Sequence, residues 1–184
     1  MTFGFRWAAA LLMLAAPVAV APVAAREIGQ ADRAALEARI AAFDKLIADG
    51  RLGEVVDFLP PRLLAHIAKN SGVTEAELRP ALTAQMNEVM KTVKMLSFGM
   101  DMQKAIVATT PNGARDYMLI PTETLMQIPD GQKLHAKSST VALKDDGQWY
   151  VVRIDNAQQI VMLRQVYPEF AGVDFPSGSM AAVE

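Results

Sequence analysis

Leu134-His135-Ala136-Lys137-Ser138-Ser139-Thr140-Val141-Ala142-Leu143-Lys144-Asp145-Asp146-Gly147-Gln148-Trp149-Tyr150-Val151-Val152-Arg153-Ile154 is the stretch whose reading decides the fold. Runs rich in β-branched and apolar residues flank Asp145-Asp146-Gly147, where glycine supplies the positive φ that a tight turn needs. The stretch therefore predicts two antiparallel strands, over residues 134–143 and 149–154. The pattern extends upstream. Pro129-Asp130-Gly131 and Pro111-Asn112-Gly113 are two more turns, and the segment between them predicts a strand over residues 115–120 that resumes through 124–128. From about residue 97, Phe98, Met100 and Met102 alternate with Gly99, Asp101 and Gln103, and Ile106-Val107 continues the extended run. Three compact turns between successive strands predict an antiparallel meander of about four strands.

The residues before this meander follow the helical period. Leu36, Ile40, Phe43 and Ile47 recur at helical spacing, with Asp32, Glu37, Arg39 and Lys45 elsewhere on the cylinder and a stop at Asp49-Gly50. Residues 52–59 predict a short helix stopped by Pro60-Pro61, and Pro61 can open the next one, over 62–70, because proline suits a first turn. Thr74-Glu75-Ala76-Glu77 matches a capping box. Behind it Leu82, Met86, Val89, Val93 and Leu96 form the longest helical stripe in the chain, expected to be central core, with Pro80 early enough to be tolerated. Ile160, Leu163 and Tyr167 predict a short C-terminal helix ended at Pro168, and residues 172–184 read as a loose, small-residue tail. A sheet with an apolar face must be covered, so the fold class is α+β, with N-terminal helices packed on the sheet.

The first 25 residues carry a different message. Arg6 supplies a short basic start, residues 7–16 are apolar, Pro17 and Pro22 interrupt the run, and Val23-Ala24-Ala25 is the small-residue sequence that signal peptidase accepts. The expectation is a secretory leader cleaved near Ala25, then a single domain over residues 26–171 and the tail, in the bacterial periplasm or secreted. Of the chain's 184 residues, 159 follow Ala25, enough for one ordinary core. The whole chain has 18 basic and 20 acidic residues, and loss of the leader removes only Arg6, leaving 17 against 20. The basic residues are scattered singly, which argues against a nucleic-acid partner. The absence of cysteine excludes a disulfide framework, a thiol nucleophile and a lipid-modified cysteine. No second apolar run approaches the roughly 18 residues of a transmembrane candidate, so no membrane anchor is expected after cleavage.

Helices first and a meander last is the element order of the nuclear-transport-factor-2-like superfamily. The phrase from Asp145 to Ile154, with its acidic turn, Gly147, Trp149 and β-branched strand, resembles the recurring last strand of that family. The resemblance implies a cone: a curved sheet wrapped round helices, with a pocket at the wide end and a sheet face able to pair as a homodimer. Such cones host enzymes, binders and assembly modules alike. The family's isomerases pair a carboxylate base with a tyrosine donor, for which Asp101 and Tyr117 are the nearest candidates here, although alternation puts Asp101 on the more polar strand face.

No established catalytic or metal motif is present. His66 and His135 stand alone, without the paired spacing of a zinc site, and no Gly-x-Ser-x-Gly elbow occurs. Asp145-Asp146 reads as turn chemistry. Methionine is the unusual count, 11 in the chain with Met1 and Met13 in the leader. Thioethers bind copper(I), but Met86 and Met90 share a helix face and Met100 and Met102 share a strand face with Phe98, as core filling also produces. The reading that combines these signals is non-enzymatic: binding of a small apolar or amphipathic ligand, or of an envelope partner protein, with no cofactor and no resident metal. Met100, Met102, Tyr117, His135 and Trp149 are the expected ligand-binding residues. An isomerase- or hydratase-like enzyme and a methionine-based copper(I) handler are the alternatives.

Overall fold

Four helices lead into and close off a curled antiparallel sheet. The computed structural model describes residues 28–183, and the expected leader over residues 1–25 lies outside them. Helix α1, Gln30–Ala48, buries Leu36, Ile40 and Leu46, and the chain leaves it through Gly50 at positive φ. A 3₁₀ helix, Leu52–Phe58, leads to Pro60 and to α2, Pro61–Ser71, which Pro61 opens and Gly72 closes in the left-handed region. The capping box starts α3, Glu75–Thr92. The Glu77 amide donates to Thr74 Oγ1 at 3.3 Å and the Thr74 amide donates to Glu77 Oε2 at 2.8 Å. The Thr74 amide has no intrahelical acceptor and the Glu77 amide has only the Thr74 carbonyl at 3.2 Å, so the box satisfies the first and supplements the second.

The strands are β1 Lys94–Met100, β2 Ile106–Thr109, β3 Asp116–Gln127, β4 Lys133–Asp145, β5 Gln148–Ile154 and β6 Ser179–Val183, with helix α4, Ala157–Val166, between the last two. The main sheet path β1-β3-β4-β5 is a strongly curled antiparallel meander on which the helices of residues 30–92 pack. The expected first strand is split into β1 and β2, which lie end to end along β3. Asp101 causes the break. Its Oδ1 accepts the amides of Gln103 at 3.1 Å and Lys104 at 3.2 Å, so a side-chain turn competes with the ladder.

Register decides which residues meet which helix. Pairings Phe98↔Thr124, Met100↔Thr122, Ile120↔Thr140 and Ala142↔Val151 assign these residues to one face. That face carries Met118, Ile120, Ala142, Trp149 and Val151 against Leu36 and Ile40 of α1. The other face carries Tyr117, Val141, Leu143, Val152 and Ile154 against Leu163, Tyr167 and Phe170. The sheet is thus covered on both sides. Residues 172–183 help to cover it, since Val173 and Phe175 are buried in the second cluster and β6 pairs with β4. Two apolar anchors and a strand edge hold a segment whose small-residue composition predicts looseness.

The β4–β5 turn is tied down by charge. Asp146 takes φ 46, and the preceding Asp145 is buried, accepting from the Tyr167 hydroxyl at 2.9 Å. Arg62 Nε lies 3.4 Å from Asp145, and Arg115 bonds Glu169 at 2.6 Å and the Lys144 carbonyl. This is more than turn chemistry: it joins α2, the β4–β5 turn and the end of α4. Truncating one partner leaves others buried without compensation, so Asp145→Ala should cost about 3 kcal/mol in urea unfolding. An unchanged urea midpoint would show that these contacts contribute nothing net.

Burial raises the phenols of Tyr117 and Tyr167, and for Tyr167 the hydrogen bond to Asp145 raises it further. The unfolded chain releases these protons near pH 10.0 while the folded protein holds them. Stability is therefore present in full below about pH 10 and falls as pH rises through and above it. Urea midpoints measured across that range should show the decline, and Tyr167→Phe should flatten it.

Candidate functional site

The apolar stripe of α3 meets the sheet at its β1 edge and stands off from its middle. Its early part is packed: Leu78 lies among Val56, Leu64 and Ala68. The next turns carry Met86, Val89, Met90 and Val93 out over a gap, and Val89 is 46 % exposed although it stands in the middle of the stripe. The packing of the first turns accounts for this. Once α3 is set against the 3₁₀ helix and α2, its second half overhangs the sheet without touching its middle.

The gap is a cavity of ≈ 580 Å³. Phe43 and Ile47 of α1 form one wall, Phe98, Met100 and Met126 of the sheet another, and Leu63, Ile67 and Met162 of α2 and α4 close the far end. Met86, Met90 and Met95 complete a set of six lining methionines, out of nine beyond residue 25. The volume lies within the range of small-molecule sites, roughly 300–1,000 Å³, and the wall is predominantly apolar with a few polar groups, as such sites are.

Those polar groups are Thr140, Arg153 and Gln159. The Thr140 and Thr122 hydroxyls are 2.7 Å apart, and Thr122 donates onward to the Ile120 carbonyl at 3.1 Å. The Thr140 proton is thereby committed to Thr122. Arg153 Nε donates to Asp155 Oδ1 at 2.8 Å and to Ser138 Oγ at 3.1 Å. Gln159 is the N3 residue of the α4 capping box, and its Oε1 accepts the amides of Asp155 and Asn156.

The structure brings Met100 to this cavity and distributes the other expected residues elsewhere. Met102 packs beside the α1-side cluster and Trp149 is buried within it. Tyr117 is on the opposite sheet face, 5.2 Å from the Phe170 ring. His135 also points to that opposite face, its Nε2 3.0 Å from Glu123 Oε2. Asp101 and Tyr117 are not brought together. The Asp101 carboxylate is 2.7 Å from Lys104 Nζ, which holds it below the usual carboxylate range. Among the described residues no group of three His, Asp or Glu could hold a metal ion. His66 bonds Asn70 and Gln165 away from the cavity.

Arg153 and Gln159 were absent from the sequence-based candidates, yet each left a signal. Arg153 is a charge on the same strand face as Val151, and Asn156-Ala157-Gln158-Gln159 is a capping box. Comparison with protein-family models, with curated proteins and with solved structures finds no match for this chain.

Because Val89 faces the cavity and not the core, Val89→Asp should move unfolding stability by no more than about 0.5 kcal/mol. Leu64→Asp, at a fully buried position, should cost about 4 kcal/mol or more. Urea titration of both variants separates a cavity wall from a core stripe: comparable losses would place Val89 in the core.

Proposed function

We propose that this protein is a non-enzymatic binder of a small amphipathic ligand, held beneath α3 in the methionine-lined cavity. The observation that carries this reading is the lining itself: six thioethers around ≈ 580 Å³ of space. Methionine is unbranched and polarisable, so a wall built from it adapts to differently shaped apolar ligands. The lining contains no carboxylate among the described residues, which favours holding a ligand over abstracting its proton. Helices followed by a curled meander agree with a nuclear-transport-factor-2-like cone, a fold that would put such a pocket between helix and sheet. The leader expected over residues 1–25 supports a location in the bacterial envelope, in the periplasm or outside. No helix among the described residues is long and apolar enough to cross a membrane.

The test uses N-phenyl-1-naphthylamine, a neutral apolar fluorophore, on the purified protein. Binding should give a saturable rise in emission. Val89→Asp, which adds a charge to the wall at little cost in stability, should weaken it by about tenfold or more. Absence of a signal, or equal binding by Val89→Asp, would overturn the reading. The same thioethers support copper(I) as the rival occupant. A protein that retains copper(I) through desalting and excludes the fluorophore would favour that rival.

A further inference from the structure

Two of the cavity's three polar groups stand together. Arg153 and Gln159 both belong to the junction between β5 and α4, with Asp155 and the N-cap Asn156 between them. Their free atoms are of one kind. The Gln159 carbonyl oxygen is consumed by two backbone amides, which fixes its orientation, since only oxygen can accept there. The Nε2 group, with two donors, is what remains. Arg153 engages Ser138 and Asp155 through Nε alone, and its terminal Nη groups have no hydrogen-bond partner among the described residues. The first turn of α4 adds the partial positive charge of a helix N-terminus.

We propose that this junction receives the anionic head of the ligand, a carboxylate on an unbranched aliphatic chain, with the chain lying along the methionines. This rests on the cavity being a ligand site and adds the ligand's chemical class to it. A cationic head is disfavoured because every free polar atom of Arg153 and Gln159 is a donor. A neutral alcohol would use them only in part. Asp155 does not cancel the preference. One of its oxygens is held by Arg153 Nε at 2.8 Å, so it orients the guanidinium and leaves the Nη edge for a two-point contact with a carboxylate. Ser138 Oγ, 3.1 Å from the same Nε, does the same from β4.

Calorimetric titration of the full mature protein with decanoate, 1-decanol and decyltrimethylammonium tests this directly. Decanoate should bind about tenfold more tightly than decanol, and the ammonium least. Arg153→Gln should bring decanoate down to the affinity of decanol while decanol affinity stays put, which also reports that the variant is folded. Arg153→Lys should recover part of the preference, because it restores charge without the planar fork. Equal binding of decanoate and decanol by the unaltered protein would overturn the head-group assignment and leave the cavity reading intact. So would an Arg153→Gln variant that weakens both alike. Binding of none of the three would overturn both.

Discussion

A missing β-carbon at Gly53 sets the position of α3, and most of what distinguishes this molecule follows from that position. A Cβ there would lie 2.7 Å from Asn87 Oδ1 and 2.8 Å from Thr83 Cγ2. Without a β-carbon the 3₁₀ helix approaches α3 with the Asn87 and Thr83 side chains undisturbed, and Thr83 Oγ1 reinforces the approach by donating to the Gly53 carbonyl at 3.0 Å. Held there on one side, α3 passes over the sheet and does not settle onto it. Its apolar stripe becomes a roof, and the volume beneath it stays open.

The molecule separates stability from binding by where it places its groups. Its solid interior is made by α1 against one sheet face and by α4 with Phe170, Val173 and Phe175 against the other. The buried charges are gathered at the β4–β5 turn around Asp145. The cavity draws on the inner edge of both packed regions but depends on neither being disturbed. Its walls belong mostly to residues that are only half buried, so they can adjust while the frame holds. Arg153 sits where the two functions meet, lining the cavity while its Nε joins a network that reaches Asp155 at the approach to α4.

Much of the architecture was legible from local chemistry. Turn glycines at 113, 131 and 147 all take positive φ, the Thr74 capping box forms, and Pro61 opens α2. These features are written in the residues that make them. What stayed hidden depends on distant parts of the chain. Periodicity shows that Met86, Val89 and Val93 share a face, but it cannot say whether that face meets a sheet or a void. Gly53, far from the stripe in sequence, decides that. Alternation likewise pairs Met100 with Met102, and both pack against the α1-side cluster, yet beyond the Asp101 turn only Met100 also lines the cavity. The tail over residues 172–183 was obscured by its small residues, although Val173 and Phe175 are its anchors.

The chemistry of the thioether wall has one more consequence. Methionine is oxidised to its sulfoxide without breaking the chain, and the product is polar and chiral where the side chain was apolar and flexible. Here six of the susceptible side chains surround an opening, whereas the core is held by Leu36, Leu64, Ile120, Leu143 and Phe170 together with Met118, whose thioether is shielded at 1 % exposure. Oxidative ageing of this protein would therefore change what the cavity accepts well before it loosened the frame. Methionine sulfoxide reductases would act on it as restorers of a surface, not as rescuers of a fold.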